Sequence, residues 1–423
     1  MSRFAPWHDG SPRGLGTVLS ADAVRAAADH AARTAYGKLV ALLASRGFDL
    51  AACEDALADA FAAALATWPT DGVPRMPEAW LLISARRKLI DRARRDRTRM
   101  QASDELLRRA DADIASPDEA PAIPDQRLAL LFACAHPAIE PAARAPLMLQ
   151  VVLGFDAARI ASAFLVAPST LSQRLVRAKR RLRDAKIAFE LPSADQLAPR
   201  LDAVAQAIYA AYADGWLEND PDRRAIADEA VWLARVLAVS LPGEAEAQAL
   251  LALILYADAR RDARGVGGVY VPLSAQDTRL WNHALIDEAE LLLRRALTSH
   301  RLGRFQLEAA IQSAHIARRS TGTVDWTALV QLYDALTLVT GSIVARVNGA
   351  VAVARAQDAA AGLVRLDALA ADPALRDYQP YWAARAHLLG ETGAVDAARE
   401  AYLRAIGLSS DPALIEFLRA QMP

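Results

Sequence analysis

From about Ala21 onward the apolar residues recur at helical spacing, and nowhere do strand formers gather into the alternating runs a sheet requires. This pattern restricts the chain to helix packed on helix. Alanine is so abundant within a 53% hydrophobic composition that helix is also the default local preference. With 423 residues the chain exceeds one ordinary core, which predicts an all-α protein of two to four domains.

The breaks in the periodicity mark the boundaries. Residues 1 to 19 read as a loose leader rich in Gly, Pro and polar residues. A first helical unit spans 20–99, broken at Gly47 and across Pro69 to Pro77. The stretch 100–123 is acidic, carries prolines and is short of large apolar residues, so it reads as a linker. A second unit spans 124–190 and closes at FELPSADQLAP. The remainder, 195–423, is interrupted by GVGGVYVP and by turn clusters near 301, 320, 341, 372 and 392.

A net charge of −1 gives no sign of a nucleic-acid partner, but basic residues gather in two patches of the first half. Cys53 and Cys134 are the two cysteines, and neither has a partner at metal-ligand spacing. A reducing cytoplasm is the expected compartment, with no metal and no cofactor. The N-terminal segment lacks the apolar core of a signal peptide, and no apolar run is long enough to span a bilayer. A soluble cytoplasmic protein with no membrane partner is therefore expected.

The first patch follows an acidic segment. In CEDALADAF, Asp55 and Asp59 lie four apart on one helix face, beside an apolar stripe of Leu57, Phe61 and Leu65. Alone, this is a solvated acidic face next to core. A Pro-rich loop from Ala66 to Ala79 leads to a helix opening with Trp80. That helix carries Arg86, Arg87, Lys88, Arg92, Arg94, Arg95, Arg97 and Arg99 against Asp91 and Asp96, and keeps Leu81, Leu82, Ala85 and Leu89 on another face. Such a helix can meet phosphates while packing on its own domain; an ordinary charged surface is the plainer reading.

The order of these parts, Glu54-Asp55, Asp59, Phe61, loop, then PEAWLLISARRKLIDRARR, resembles the sigma-2 domain of extracytoplasmic-function sigma factors of bacterial RNA polymerase. The resemblance implies that Glu54, Asp55, Asp59 and Phe61 dock on the β′ clamp helices of core RNA polymerase. It also implies that the loop captures an unstacked base of the −10 element. Trp80, Arg86, Arg87, Lys88, Arg92, Arg94 and Arg95 would then hold the melted strand. Ala58 departs from many relatives, which carry Gln there, and this bears on the detail of the clamp contact.

The second patch is the more informative. A short helix, Asp156 to Phe164, turns Ala157, Ile160 and Ala161 inward; Leu165-Val166-Ala167 make a tight turn; a second helix starts at Pro168, a favoured first-turn residue. This is helix-turn-helix spacing, though an αα-hairpin of no special use has it too. Ser169, Thr170, Ser172, Gln173 and Arg174 lie near the start of the second helix, anchored by Leu171, Leu175 and Leu182. Arg174, Arg177, Lys179, Arg180, Arg181, Arg183 and Lys186 stand against Asp184 alone. The wider segment, with LLFACAHPAI, AFLV and QRLVRAKRRLRDA, resembles sigma-4 of the sigma subgroup that bears a helical-repeat extension. The resemblance implies that Ser169, Thr170, Ser172, Gln173, Arg174, Arg177, Lys179 and Arg180 read the −35 element of promoter DNA, and that another surface meets the β flap. Cys134 and His136 are expected to be structural.

In the third unit, residues 382 to 412 resemble a tetratricopeptide repeat through Trp382, Ala398, Tyr402, Ala405 and a turn at Gly393, with VAVARAQDAAAGLVRLDALAADPAL as a weaker copy. A generic helical bundle fits the pattern as well. The segments before it match the same subgroup's extension, with Ala213-Asp214-Gly215-Trp216 in place of its usual Asn-Glu-Gly-Tyr. Arg260, Arg261, Asp262, Arg264, Gln276, Asp277, Arg279 and Trp281 form a polar cluster open to three readings: an ion-pair network between helices, a contact surface, or a small-ligand pocket.

No HExxH, P-loop, nucleophile elbow or Cys-His constellation is present, so no enzymatic activity is expected. The expected function is promoter recognition and melting with core RNA polymerase. The extension would regulate or scaffold this activity, with intramolecular contact to the sigma domains. The rivals are a stand-alone helix-turn-helix regulator with a ligand- or peptide-sensing repeat domain, and a repeat adaptor without a DNA role.

Overall fold

The structure, a computed structural model, describes residues 21–97, 126–164, 166–185, 187, 189, 192–216, 221–266, 269–299 and 302–423. The leader at 1 to 19 and the linker at 100–123 lie outside the described residues. The fold is all-α, with one two-stranded hairpin among the described residues. It divides into two compact units, residues 1–204 and 205–423.

The first unit contains α1 (Ala21–Ser45), α2 (Leu50–Asp71), α3 (Pro77–Arg97), α4 (Arg127–Cys134), α5 (Pro141–Leu153), α6 (Ala157–Ala163), α7 (Pro168–Asp184) and the start of α8 (Ala194–Trp216). Its centre is α1, where Ala35, Gly37 and every residue from Leu39 to Ala44 are buried. A helix apolar all round must be covered on every side. Here α2 and α3 pack on α1, and so do α4 and α5. The segments 20–99 and 124–190 therefore share one core. One close approach is at Gly37: a Cβ built there would stand 1.7 Å from the Val152 carbonyl oxygen on α5.

Two local expectations change. The loop expected from Ala66 to Ala79 is much shorter, because α2 continues through Pro69 to Asp71 and α3 begins at Pro77. Pro69 removes one backbone donor, but Trp68 is fully buried and meets Trp80 edge-on, with ring centroids 5.6 Å apart. Gly72, at φ 84°, then ends the helix by donating to the Trp68 carbonyl. The apolar stripe of α2 also differs. Leu65 is exposed and Phe61 half-buried, while Cys53, Ala56, Leu57, Ala60, Ala64 and Trp68 form the buried face.

The second unit begins within α8 and adds α9 (Pro221–Ser240), α10 (Ala245–Asp258) and α11 (Arg261–Arg264). The hairpin, Gly265–Val266 with Val269–Tyr270, occupies the GVGGVYVP interruption. Beyond it come α12 (His283–Ala296), α13 (Arg304–Ile316), α14 (Arg318–Thr321), α15 (Trp326–Thr340), α16 (Ile343–Ala356), α17 (Ala359–Asp367), α18 (Gln379–Glu391), α19 (Val395–Gly407) and α20 (Pro412–Gln421). Ala247 through Tyr256 of α10 are all buried, which makes that helix the hub of its end of the unit. Two buried glutamines repeat one device: Gln248 Nε2 donates to the Ala238 carbonyl and Gln306 Nε2 to the Ala296 carbonyl, each at 2.8 Å. Toward the C-terminus, successive helices pack in pairs. α18 and α19 carry the repeat-like segment, with Ala398, Tyr402 and Ala405 buried between them and α20, and Gly393 at φ 79° in the turn.

Candidate nucleic-acid interface

The helix-turn-helix is built by local chemistry. The Asp156 carboxylate accepts the Arg159 amide at 2.8 Å and so starts α6, whose Ile160 and Ala161 are buried. The Val166 amide donates to the Ala161 carbonyl and closes the turn; Leu165 lies outside the described residues. Pro168 then occupies the first turn of α7. Leu171, Leu175, Ala178 and Leu182 recur at i, i+4, i+7 and i+11 and seat this helix by one narrow face. The opposite side presents Ser169, Thr170, Ser172, Gln173, Arg177, Arg180, Arg181 and Arg183 to solvent, with Arg174 half-buried at its edge. The Ser172 hydroxyl donates to the Pro168 carbonyl. Hydroxyls and an amide at the start of a helix, followed by guanidiniums, can offer base-edge and phosphate contacts from one surface.

Lys179 is set apart from that surface. Its ammonium reaches across to α2 and donates to both carboxylate oxygens of Glu54, at 2.9 and 2.7 Å, with the two side chains 20% and 16% exposed. Cys134 of α4 and Tyr36 of α1 both feel the Glu54 charge. Burial, with the Glu54 charge added, pushes the Cys134 thiol and the Tyr36 phenol well above their ordinary values.

The acidic face of α2 and the basic face of α3 meet directly. Arg92 Nη1 donates to Asp55 Oδ2 at 3.2 Å, and Lys88 donates to the Asp59 carbonyl at 3.1 Å, 3.5 Å from its carboxylate. All four side chains remain well exposed. On α3, Arg87, Arg92 and Arg94 are exposed and Trp80 is half-buried, whereas Arg86 is buried and turned from that surface. Arg95 lies in the last turns of α3, and its side chain falls outside the described residues. Spacing alone did not indicate that Glu54 would pair with α7, or Asp55 and Asp59 with α3.

In the second unit the polar cluster separates into several distinct pairings. Arg261 pairs with Asp258 and, at 2.8 Å, with Asp228. Arg279 pairs with its neighbour Asp277 at the surface. Arg260 is buried and donates to the Tyr256 carbonyl and to Gln312 Oε1; burial lowers its pKa to about 10. Arg318 stacks over buried Trp281, 5.0 Å from the ring centroid, and donates to the carbonyls of Leu273 and Gln276. His315 is pushed down to about 4 by burial and by the Arg260 and Arg318 charges, so its ring is neutral near pH 7. A half-open cavity of about 460 Å³ lies farther along, lined among others by Arg376, Trp382, Arg385 and Glu400.

Residues 200–297 match a family described as a family of unknown function, DUF6596. Over 385 residues, covering 89% of this chain and 90% of the relative, the sequence is 36% identical to "Uncharacterized protein R00370" of Rhizobium meliloti (strain 1021). No solved structure matches. The molecule is thus an all-α chain whose first unit presents a helix-turn-helix beside a paired acidic and basic helix. It belongs to the same protein family as the Rhizobium meliloti protein.

Proposed function

We propose that the protein is an extracytoplasmic-function sigma factor. It binds core RNA polymerase through the α2 face, places α7 at the −35 element and α3 at the −10 element, and melts promoter DNA by strand capture rather than catalysis. The observation that carries this reading is the exposed face of α7, where Ser169, Thr170, Ser172, Gln173, Arg177 and Arg180 share one surface of a seated helix-turn-helix. Its occurrence in one unit with the α2–α3 pair supports a sigma factor over a plain DNA-binding module. The second unit, a stack of helix pairs, is assigned a regulatory or scaffolding role. In keeping with this function, the protein would act in the cytoplasm; among the described residues no helix is long and apolar enough to cross a membrane.

The test is assembly. Purified protein mixed with core RNA polymerase should co-elute as holoenzyme, and Asp55→Lys/Asp59→Lys should abolish co-elution while leaving helix content unchanged. Co-elution of the charge-reversed protein would refute the docking surface. Binding to duplex DNA without polymerase would favour a stand-alone regulator.

A further inference from the structure

We propose that the Glu54–Lys179 pair and the Gly37–Val152 crossing form an autoinhibitory lock, in which the helix assigned to polymerase and the helix assigned to DNA occupy each other. The mechanism rests on the sigma-factor reading; the lock itself does not.

The pair differs in kind from its neighbours. Lys88–Asp59 and Arg92–Asp55 have every side chain at least 40% exposed, so water and salt screen them. Glu54 and Lys179 are shielded, joined through both carboxylate oxygens, and brought together from positions 125 residues apart. Replacing either one leaves the other shielded and unpaired, so a single change at this pair strongly disfavours the closed arrangement. At Gly37 the backbones of α1 and α5 approach so closely that no side chain larger than hydrogen fits. A meeting of two backbones is present or absent, with little room between, and that suits a two-state element.

Glu54 cannot serve Lys179 and a clamp helix together, nor can Lys179 serve Glu54 and a phosphate. Polymerase that takes Glu54 therefore releases Lys179, and DNA that takes Lys179 releases Glu54. The two ligands favour the same open state, so each strengthens the other's binding. In the closed state each binds more weakly by the fraction of molecules that are open.

The chain carries its own reporter. It has two cysteines, both free and fully buried, and Cys134 closes α4, the helix that packs on α1. Labelling of the full-length protein by a thiol reagent, read out by peptide mapping, should be slow at Cys134. Lys179→Glu and Glu54→Lys should each raise the rate at least tenfold with helix content unchanged. The double reversal, Glu54→Lys with Lys179→Glu, should bring it back to within about threefold of wild type. Gly37→Leu, which touches neither candidate surface, should open the seam at its other fastening. Single variants that label at the wild-type rate, or a double variant that stays fast, would overturn the lock. Saturating core polymerase should accelerate Cys134 labelling in the wild type. Binding without acceleration would overturn autoinhibition. Failure of core to bind would instead count against the sigma reading, while the variants would still decide the lock.

Discussion

The two units are built on opposite principles. In the first, the core joins helices far apart in sequence: α1 is covered by α4 and α5 as well as by α2 and α3, and Lys179 closes on Glu54. In the second, much of the packing runs from one helix to the next, α15 on α16, α16 on α17, α18 on α19, although α20 returns to the hairpin, where Phe417 meets Tyr270. A stack of near neighbours is stabilised almost as a sum of local terms, so damage stays local. A core closed by long-range packing has no such insulation. One lesion can separate whole helices, and one ligand can do the same.

The comparison can be broken at chosen residues. Trp68→Ala carries the largest expected effect. It removes a fully buried ring stacked edge-on against Trp80, at a cost of about 4 kcal/mol. Hydrogen exchange should show reduced protection from α1 through α5 together; a reduction confined to α2 and α3 would deny the shared core. Gly362→Val is the counterpart in the second unit. A Cβ there would meet Ala354 Cβ at 2.5 Å and Leu388 Cδ1 at 3.0 Å, and the overpacking costs about 3 kcal/mol. Protection should fall in α16, α17 and α18 and stay intact in α9 and α10. A fall throughout the unit would contradict the additive stack.

The smallest effect is a pH dependence. His315 has its pKa lowered from 6.5 to about 4 in the folded chain, so between these values the unfolded chain binds a proton that the folded one refuses. Its contribution is therefore constant above about pH 6.5 and declines as the pH falls toward 4. Between pH 7 and pH 5 the decline is about 2 kcal/mol. Denaturant titrations of wild type and His315→Gln should differ by that slope, with the variant less sensitive to acid; parallel slopes would deny the buried neutral ring.

What the sequence revealed follows the same division. The all-α class was legible because apolar spacing is a local property. So was the geometry of the second basic patch, since Asp156, Pro168 and the leucines of α7 act within a few residues of themselves. The extent of α2 was less legible: Pro69 reads as a helix end, and it was overridden by Trp68 finding Trp80 in the following helix. The Gly37 crossing and the Glu54–Lys179 pair had no local signal at all. Gly37 lies in mid-helix, where glycine is merely unfavourable, and its reason is a carbonyl contributed by Val152. The charges at positions 54 and 179 each looked like part of a solvated or ligand-binding face, because their partners stand on helices that spacing cannot bring together.

Whether this chain directs RNA polymerase to promoters is tested most directly by runoff transcription. Core polymerase should be supplied with a library of promoter sequences, with and without the full-length protein. The predicted result is a set of specific starts that appear only with the protein and that change preference at −35 when Gln173 or Arg174 is replaced by Ala. A good bidentate pairing of a side chain with a base supplies about 1 to 3 kcal/mol of discrimination, which sets the size of that change. Transcripts that are the same with and without the protein would contradict the sigma-factor assignment.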